Sequence, residues 1–166
     1  MNFDSHESIL ASGFNGGVLI GNLQESLCSA ITKERGVYLV VRHATVPVSF
    51  VEASSGTHLK KRDPSVSVQK LHDRWIPDSK VLYVGKAGGT GQKTTLYGRL
   101  KSYLEYGQGM QRTHWGGRYI WQLADVKSLQ IYWAVHAEAE PAHVESRLIR
   151  ELERRHGRLP FANLRR

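Results

Sequence analysis

Apolar positions fall into short runs and helical stripes, separated by polar stretches rich in glycine and proline. VYLVV, Val37 to Val41, and VLYVG, Val81 to Gly85, are β-branched runs of strand length. LQIYWAV, Leu129 to Val135, alternates Leu129, Ile131, Trp133 and Val135 with smaller or polar groups, the period of a strand with one packed face. Leu23, Leu27, Ala30 and Ile31 recur at helical spacing and predict a helix over about residues 22–34, ended at Gly36. Leu96, Leu100, Tyr103 and Leu104 form a second stripe after the loop GGTGQKTT. A third helix is predicted over about 142–155, with Pro141 at its start and Gly157 at its end. Between the first two strands, residues 43–80 are irregular, hold Pro47, Pro64 and Pro77, and predict one short helix around 66–75.

Strand, strand, helix, strand, helix is the order of an α/β domain of the α+β type, with a small, largely antiparallel three-stranded sheet flanked by helices. So few strands hold only when helices pack on them. A chain of 166 residues is the size of one domain, so residues 1–166 are expected to form one unit. To that unit the pattern adds a helical N-terminal extension (1–35) and an insertion (43–80). The longest apolar run is strand-sized, and the opening MNFDSHESIL lacks the basic patch and apolar core of a secretion signal. Cys28 is the one cysteine and can form no internal bridge. These readings predict a cytoplasmic protein with no membrane partner.

Charge changes the picture of the partner. A net charge of +8 and a pI near 9.8 favour a polyanion, because Lys and Arg that neutralise phosphates release condensed counterions. Lys60, Lys61 and Arg62 cluster inside the insertion. Arg147, Arg150, Arg154, Arg155, Arg158, Arg165 and Arg166 crowd the C-terminus. Two solvated faces would carry the same residues.

Polar groups on apolar stripes say more. Glu145 precedes Leu148, Ile149 and Leu152 by three, four and seven residues, so its carboxylate shares their helix face. Such a group must be ion-paired, protonated or bound to a metal, because an uncompensated buried charge costs several kcal/mol. Arg99 stands at the edge of the stripe from Leu96 to Tyr103; it is suited to gripping phosphate oxygens, and it is equally able to pair with Glu145 or Glu105. Tyr38 and Tyr83 lie in strands, where aromatic residues are favoured for packing alone.

Taken jointly, GVY at Gly36 to Tyr38, YVGKA at Tyr83 to Ala87, GRLKSYL at Gly98 to Leu104, VESRLIREL at Val144 to Leu152 and PFAN at Pro160 to Asn163 resemble the GIY-YIG nuclease superfamily. The middle motifs are most similar to the branch that incises DNA in bacterial nucleotide excision repair. The resemblance covers about residues 35–42 and 81–166. It implies a metal-dependent endonuclease acting on nucleic acid, DNA in the first instance. Glu145 would be the sole protein ligand of one divalent ion, Mg²⁺ or Mn²⁺, with waters completing the shell. Tyr83, or else Tyr38, would be the general base, its phenolate favoured by Lys86 and Arg99. Arg99 and Lys86 would hold the scissile phosphate. Tyr103 would orient one of these groups, Asn163 would brace the site or touch the phosphate, and the product would carry a 5′ phosphate. A monomer would nick; a homodimer would cut both strands.

Two departures bear on substrate. The connection between the motif strands is far longer than the family's, with 44 residues between Tyr38 and Tyr83, and GGTGQKTT is added after YVGKA. Both are expected near the cleft. Recognition would fall to the insertion, with Lys60, Lys61, Arg62, Lys70, His72, Arg74 and Trp75 available, and to Arg118 in HWGGRYIW. There Gly116 and Gly117 predict a turn, and Trp115 or Trp121 is free to pack. Two alternatives compete: a nucleic-acid-binding module that does not cut, and an NTP-binding protein. The second fails on spacing, since Ala87 and Gln92 stand where a phosphate-binding loop ending at Lys93 needs glycines. The eight histidines show no metal-ligand spacing.

Overall fold

VYLVV is apolar throughout and becomes the buried centre of the sheet. The computed structural model describes residues 3–58, 60–112 and 114–165. Four strands, β1 (Asn15–Leu19), β2 (Gly36–Val41), β3 (Val81–Ala87) and β4 (Gln130–Val135), form one sheet in the order β1-β4-β2-β3. Every neighbouring pair is antiparallel. All of β2 is buried between β3 and β4. Among the described residues five α-helices accompany the sheet: α1 (His6–Ala11), α2 (Ile20–Glu25), α3 (Val68–Arg74), α4 (Leu96–Gly107) and α5 (Pro141–His156).

The period of two along the strands separates two cores. Tyr38, Val40, Ile131 and Trp133 face α2 and α4, with Leu23, Leu96, Leu100 and Tyr103. Val37, Leu39, Val84 and Tyr132 face α1 and α5, with Ile9, Val144, Leu148, Ile149 and Leu152. Each fully buried aliphatic side chain contributes roughly 1.5–3 kcal/mol, so the α5 stripe alone fixes that helix on the sheet. Pro141 opens α5, and Gly157 ends it at φ 72°.

The glycines of the two tyrosine motifs have a steric reason. A methyl on Gly36 would lie 2.0 Å from the Ala134 carbonyl oxygen. On Gly85 it would lie 2.5 Å from the Tyr38 hydroxyl, because Tyr38 stands opposite Gly85 in the register and lays its ring across that strand.

The sheet has four strands where the pattern predicts three, and the N-terminal extension is an integral part of it. β1 escapes the pattern because NGGVL has two glycines and little β-propensity; it is held by pairing with β4 through an irregularity between Gly16 and Val18. The helix predicted over 22–34 is α2 alone, since Leu27 and Cys28 turn to φ 51° and 63° directly after it. Burial pushes the Cys28 thiol up to about 11, which makes it a core residue.

The insertion packs α3, Phe50 and Trp75 onto the C-terminal segment. Phe161 lies 5.7 Å from the Phe50 ring and 5.3 Å from Trp75. Arg74 donates from Nε to the Phe161 carbonyl (3.1 Å) and from Nη2 to that of Asn163 (2.8 Å). At the base of the insertion Arg42 pairs with Asp125 at 2.7 Å and donates to the Val46 carbonyl at 3.1 Å. Among the described residues no helix is long and apolar enough to cross a membrane.

Candidate active site

β3 is an edge strand, and both of its faces contribute to a cleft of about 660 Å³. Tyr83 and Lys86, three residues apart, point to opposite faces of the strand. Arg99 enters from the first turn of α4, whose start is set by Thr95 accepting a hydrogen bond from the Gly98 N–H (3.1 Å). Glu145 enters from the first turns of α5, and Asn163 from the segment after it. Tyr83, Lys86, Arg99, Glu145 and Asn163 thus line one cleft, though they are scattered over 81 residues' span of chain from 83 to 163.

The acid is not locked into a salt bridge. Among the described residues no cationic nitrogen lies within 4.0 Å of the Glu145 carboxylate, although Lys86, Arg99 and Arg165 are close enough to favour its charged form. Burial outweighs them and raises its pKa. Glu105, the other partner considered for Arg99, pairs with Arg112 at 2.6 Å. Arg99 has no ion pair among the described residues, and its buried Nε has no hydrogen-bond partner.

The tyrosines divide. Tyr83 lines the cleft and packs edge-on to Tyr38, 6.0 Å between centroids. Burial raises its pKa, while Arg99 and the Tyr38 hydroxyl pull it back. Arg99 thus favours the phenolate as expected, and desolvation is the larger influence. Tyr38 is fully buried behind Tyr83, with its pKa raised well above the ordinary value by burial, and it does not reach the cleft. Tyr103, also fully buried, donates to the Gly117 carbonyl at 3.0 Å and so fixes a backbone segment of the cleft wall. Asn163 braces. Its Oδ1 accepts from the Val84 N–H and its Nδ2 donates to the Val84 carbonyl, both at 2.9 Å, completing the open edge of β3 like a short strand.

The remaining sequence candidates lie elsewhere. Lys60, Lys61 and Arg62 are exposed in the insertion, and among the described residues no insertion residue lines the cleft. Arg74 is committed to holding the C-terminal segment. Arg118 is stacked between Trp115 (4.5 Å) and Tyr119 (4.8 Å), beside the cleft. Arg166, part of the C-terminal basic crowd, lies outside the described residues. The glycine-rich loop does border the cleft through Gly88, Gln92 and Thr94. Glu140 holds it by accepting from the Thr90 N–H and hydroxyl at 3.1 and 3.0 Å. A carboxylate thus occupies donors that a nucleotide phosphate would need.

Trp115, Gly116, Gly117 and Arg165 also line the cleft. From sequence, HWGGRYIW predicts a turn without a place for it in the cleft, and Arg165 counts only as charge. A glycine pair between aromatic residues was the available signal. A methyl on Gly116 would lie 2.8 Å from the Tyr83 hydroxyl, and one on Gly117, at φ 71°, 2.9 Å from the Tyr83 ring, so only glycine lets this strand of backbone cross the phenol.

The donor set suits a weakly protein-bound hard cation. Among the described residues no group of three or more His, Cys, Asp and Glu could form a full cage. One unpaired, half-buried carboxylate facing an open cleft is what an Mg²⁺ that keeps most of its waters requires. Comparison with protein-family models, with curated proteins and with solved structures finds no match.

Proposed function

We propose that the chain is a metal-dependent endonuclease of the GIY-YIG type that hydrolyses phosphodiester bonds of nucleic acid, DNA in the first instance. The observation that carries this reading is the meeting of an unpaired Glu145 with Arg99, Lys86 and Tyr83 in one cleft. A resting ion pair would explain Glu145 and Arg99 more simply, and none is formed among the described residues. The net charge of +8 suits a polyanionic substrate.

In this reading Arg99 and Lys86 grip the non-bridging oxygens of the scissile phosphate and stabilise the charge that grows there. Tyr83 accepts the proton of the attacking water. Because burial keeps it mainly a phenol at neutral pH, its accepting form grows as pH rises. One Mg²⁺ or Mn²⁺ held by Glu145 would supply charge neutralisation at the departing 3′ oxygen. The other product end keeps a 5′ phosphate. Asn163 holds β3 in place and Tyr103 holds Gly117, so both position the site without touching substrate.

Supercoiled plasmid incubated with wild type, Glu145→Ala and Arg99→Ala, with Mg²⁺ or Mn²⁺ and then with EDTA, tests the proposal. Metal-dependent nicking or linearisation, lost in both variants, is expected. Plasmid retained equally by all three proteins and never cut would replace the nuclease with a binding module.

A further inference from the structure

Trp115 stands apart from the other three tryptophans. Trp121 and Trp133 are 2% and 7% exposed and lie in the core, and Trp75 packs on Phe50 and Phe161. Trp115 is half-buried and lines the cleft. No aromatic ring stacks on it among the described residues. Its ring partner is the Arg118 guanidinium, 4.5 Å from the ring centroid. That guanidinium is backed in turn by Tyr119 at 4.8 Å, and its buried Nη1 has no hydrogen-bond partner. Arg118 forms no ion pair among the described residues, so it acts on the indole as a fixed cationic support.

The position is fixed as firmly as the ring. Trp115 immediately precedes the two glycines that cross Tyr83, and Tyr103 holds the Gly117 carbonyl. The indole is therefore carried by the residue next to the point where backbone meets the Tyr83 hydroxyl. The cleft wall next to the reacting phosphate is thus an aromatic surface held flat by a cation.

We infer that Trp115 is the stacking platform for an unpaired nucleobase beside the scissile phosphate, so that the cleft takes single-stranded or locally unpaired nucleic acid in preference to intact duplex. This rests on the nuclease-site reading above. In a duplex the bases are stacked inside and the phosphates face outward, so a phosphate at Arg99 would leave the indole without a base. A base turned out of the stack reaches it. Stacking on an aromatic side chain tolerates any base, which predicts a structural preference with little sequence preference.

The test is binding, measured in EDTA so that nothing is cut. Wild type, Trp115→Phe, Trp115→Ala and Trp115→Leu are titrated with three labelled oligonucleotides by fluorescence anisotropy: a perfect duplex, the same duplex with one unpaired thymidine, and that duplex with an abasic sugar at the unpaired position. Wild type is expected to bind the unpaired thymidine best and to show quenched tryptophan fluorescence with it. Trp115→Ala and Trp115→Leu should weaken that complex about 5- to 150-fold, with the abasic complex unchanged and Trp115→Phe near wild type. Equal binding of the duplex and the unpaired thymidine by wild type overturns the inference. So does an equal loss of the thymidine and abasic complexes in Trp115→Ala, which marks a merely structural tryptophan. Absence of binding to all three oligonucleotides by wild type overturns the nucleic-acid reading itself.

Discussion

Two tyrosines on opposite faces of the sheet meet opposite fates. On the α1 side, the Tyr132 hydroxyl donates to Gln130 Oε1 (2.7 Å) and lies 2.8 Å from His6 Nδ1 and 3.3 Å from His43 Nε2. With the hydroxyl proton committed to Gln130, both imidazoles are donors, and the cluster is closed. On the cleft side, the fully buried Tyr38 meets the Tyr83 phenol, Arg99 Nε is buried without a hydrogen-bond partner, and Glu145 is without an ion pair among the described residues. The unpartnered buried atoms of His114, Tyr106, Trp121 and Arg118 belong to the aromatic cluster around Tyr103 and the cleft wall beside it. The fold satisfies buried polar groups at Tyr132 and Arg74, and the Arg42 guanidinium is likewise partnered, although Oδ1 of its partner Asp125 has no hydrogen-bond partner. Of the groups left open, Arg99 and Glu145 line the cleft, and the proposed function rests on those two.

The sharpest way to break this contrast is to remove one arginine from each region. Arg99→Ala is expected to lower metal-dependent cleavage about 10²- to 10³-fold and leave the urea unfolding midpoint near that of wild type. Arg42→Ala should do the reverse, because it strands Asp125 and three carbonyls: a loss of about 3 kcal/mol in unfolding free energy, with cleavage per folded molecule retained. Equal destabilisation by both substitutions would erase the distinction.

His114 sharpens it through pH. Its ring is buried, stacked 4.6 Å from Tyr103, and burial together with Arg99 lowers its pKa to about 3. Below the ordinary histidine value the unfolded chain takes a proton that the native ring refuses, so stability falls as pH drops from about 6.5 toward 3. Relative to pH 7, this one group removes about 2 kcal/mol at pH 5. Urea melts of His114→Phe should show that part of the acid slope gone; an unchanged slope would mean that the imidazole is already charged in the native state.

A smaller effect is expected from Tyr83. Its raised pKa places the titration above neutrality, so kcat/KM should climb about tenfold per pH unit on the alkaline side of neutral. Tyr83→Phe should flatten that rise, and a profile falling with pH in wild type would assign the base elsewhere.

Much of the fold was legible because its signals are local. The apolar runs of β2, β3 and β4, the stripes of α4 and α5, and the Pro141 and Gly157 boundaries all follow from spacing and backbone chemistry. β1 was not, because its stability comes from β4 and its two glycines read as a loop. At the site, Glu145 and Arg99 were visible as charges on apolar stripes, and Asn163 only through the PFAN resemblance. The insertion could not be placed from sequence. Its basic residues suggested contacts with substrate, whereas Arg74, Phe50 and Trp75 clamp the segment that carries Asn163. Trp115 was hidden because nothing local tells a tryptophan in a cleft wall from one in a core.

Glu145→Gln, assayed on one preparation for both cleavage and thermal unfolding, bears most directly on the claim that the cleft is kept open for a metal and a phosphate. Replacing an unpaired, partly desolvated carboxylate by a neutral amide should abolish metal-dependent cleavage while Tm stays level or rises by a few degrees. Cleavage that survives the substitution, or a Tm that falls by several degrees as when a structural ion pair is broken, would contradict it.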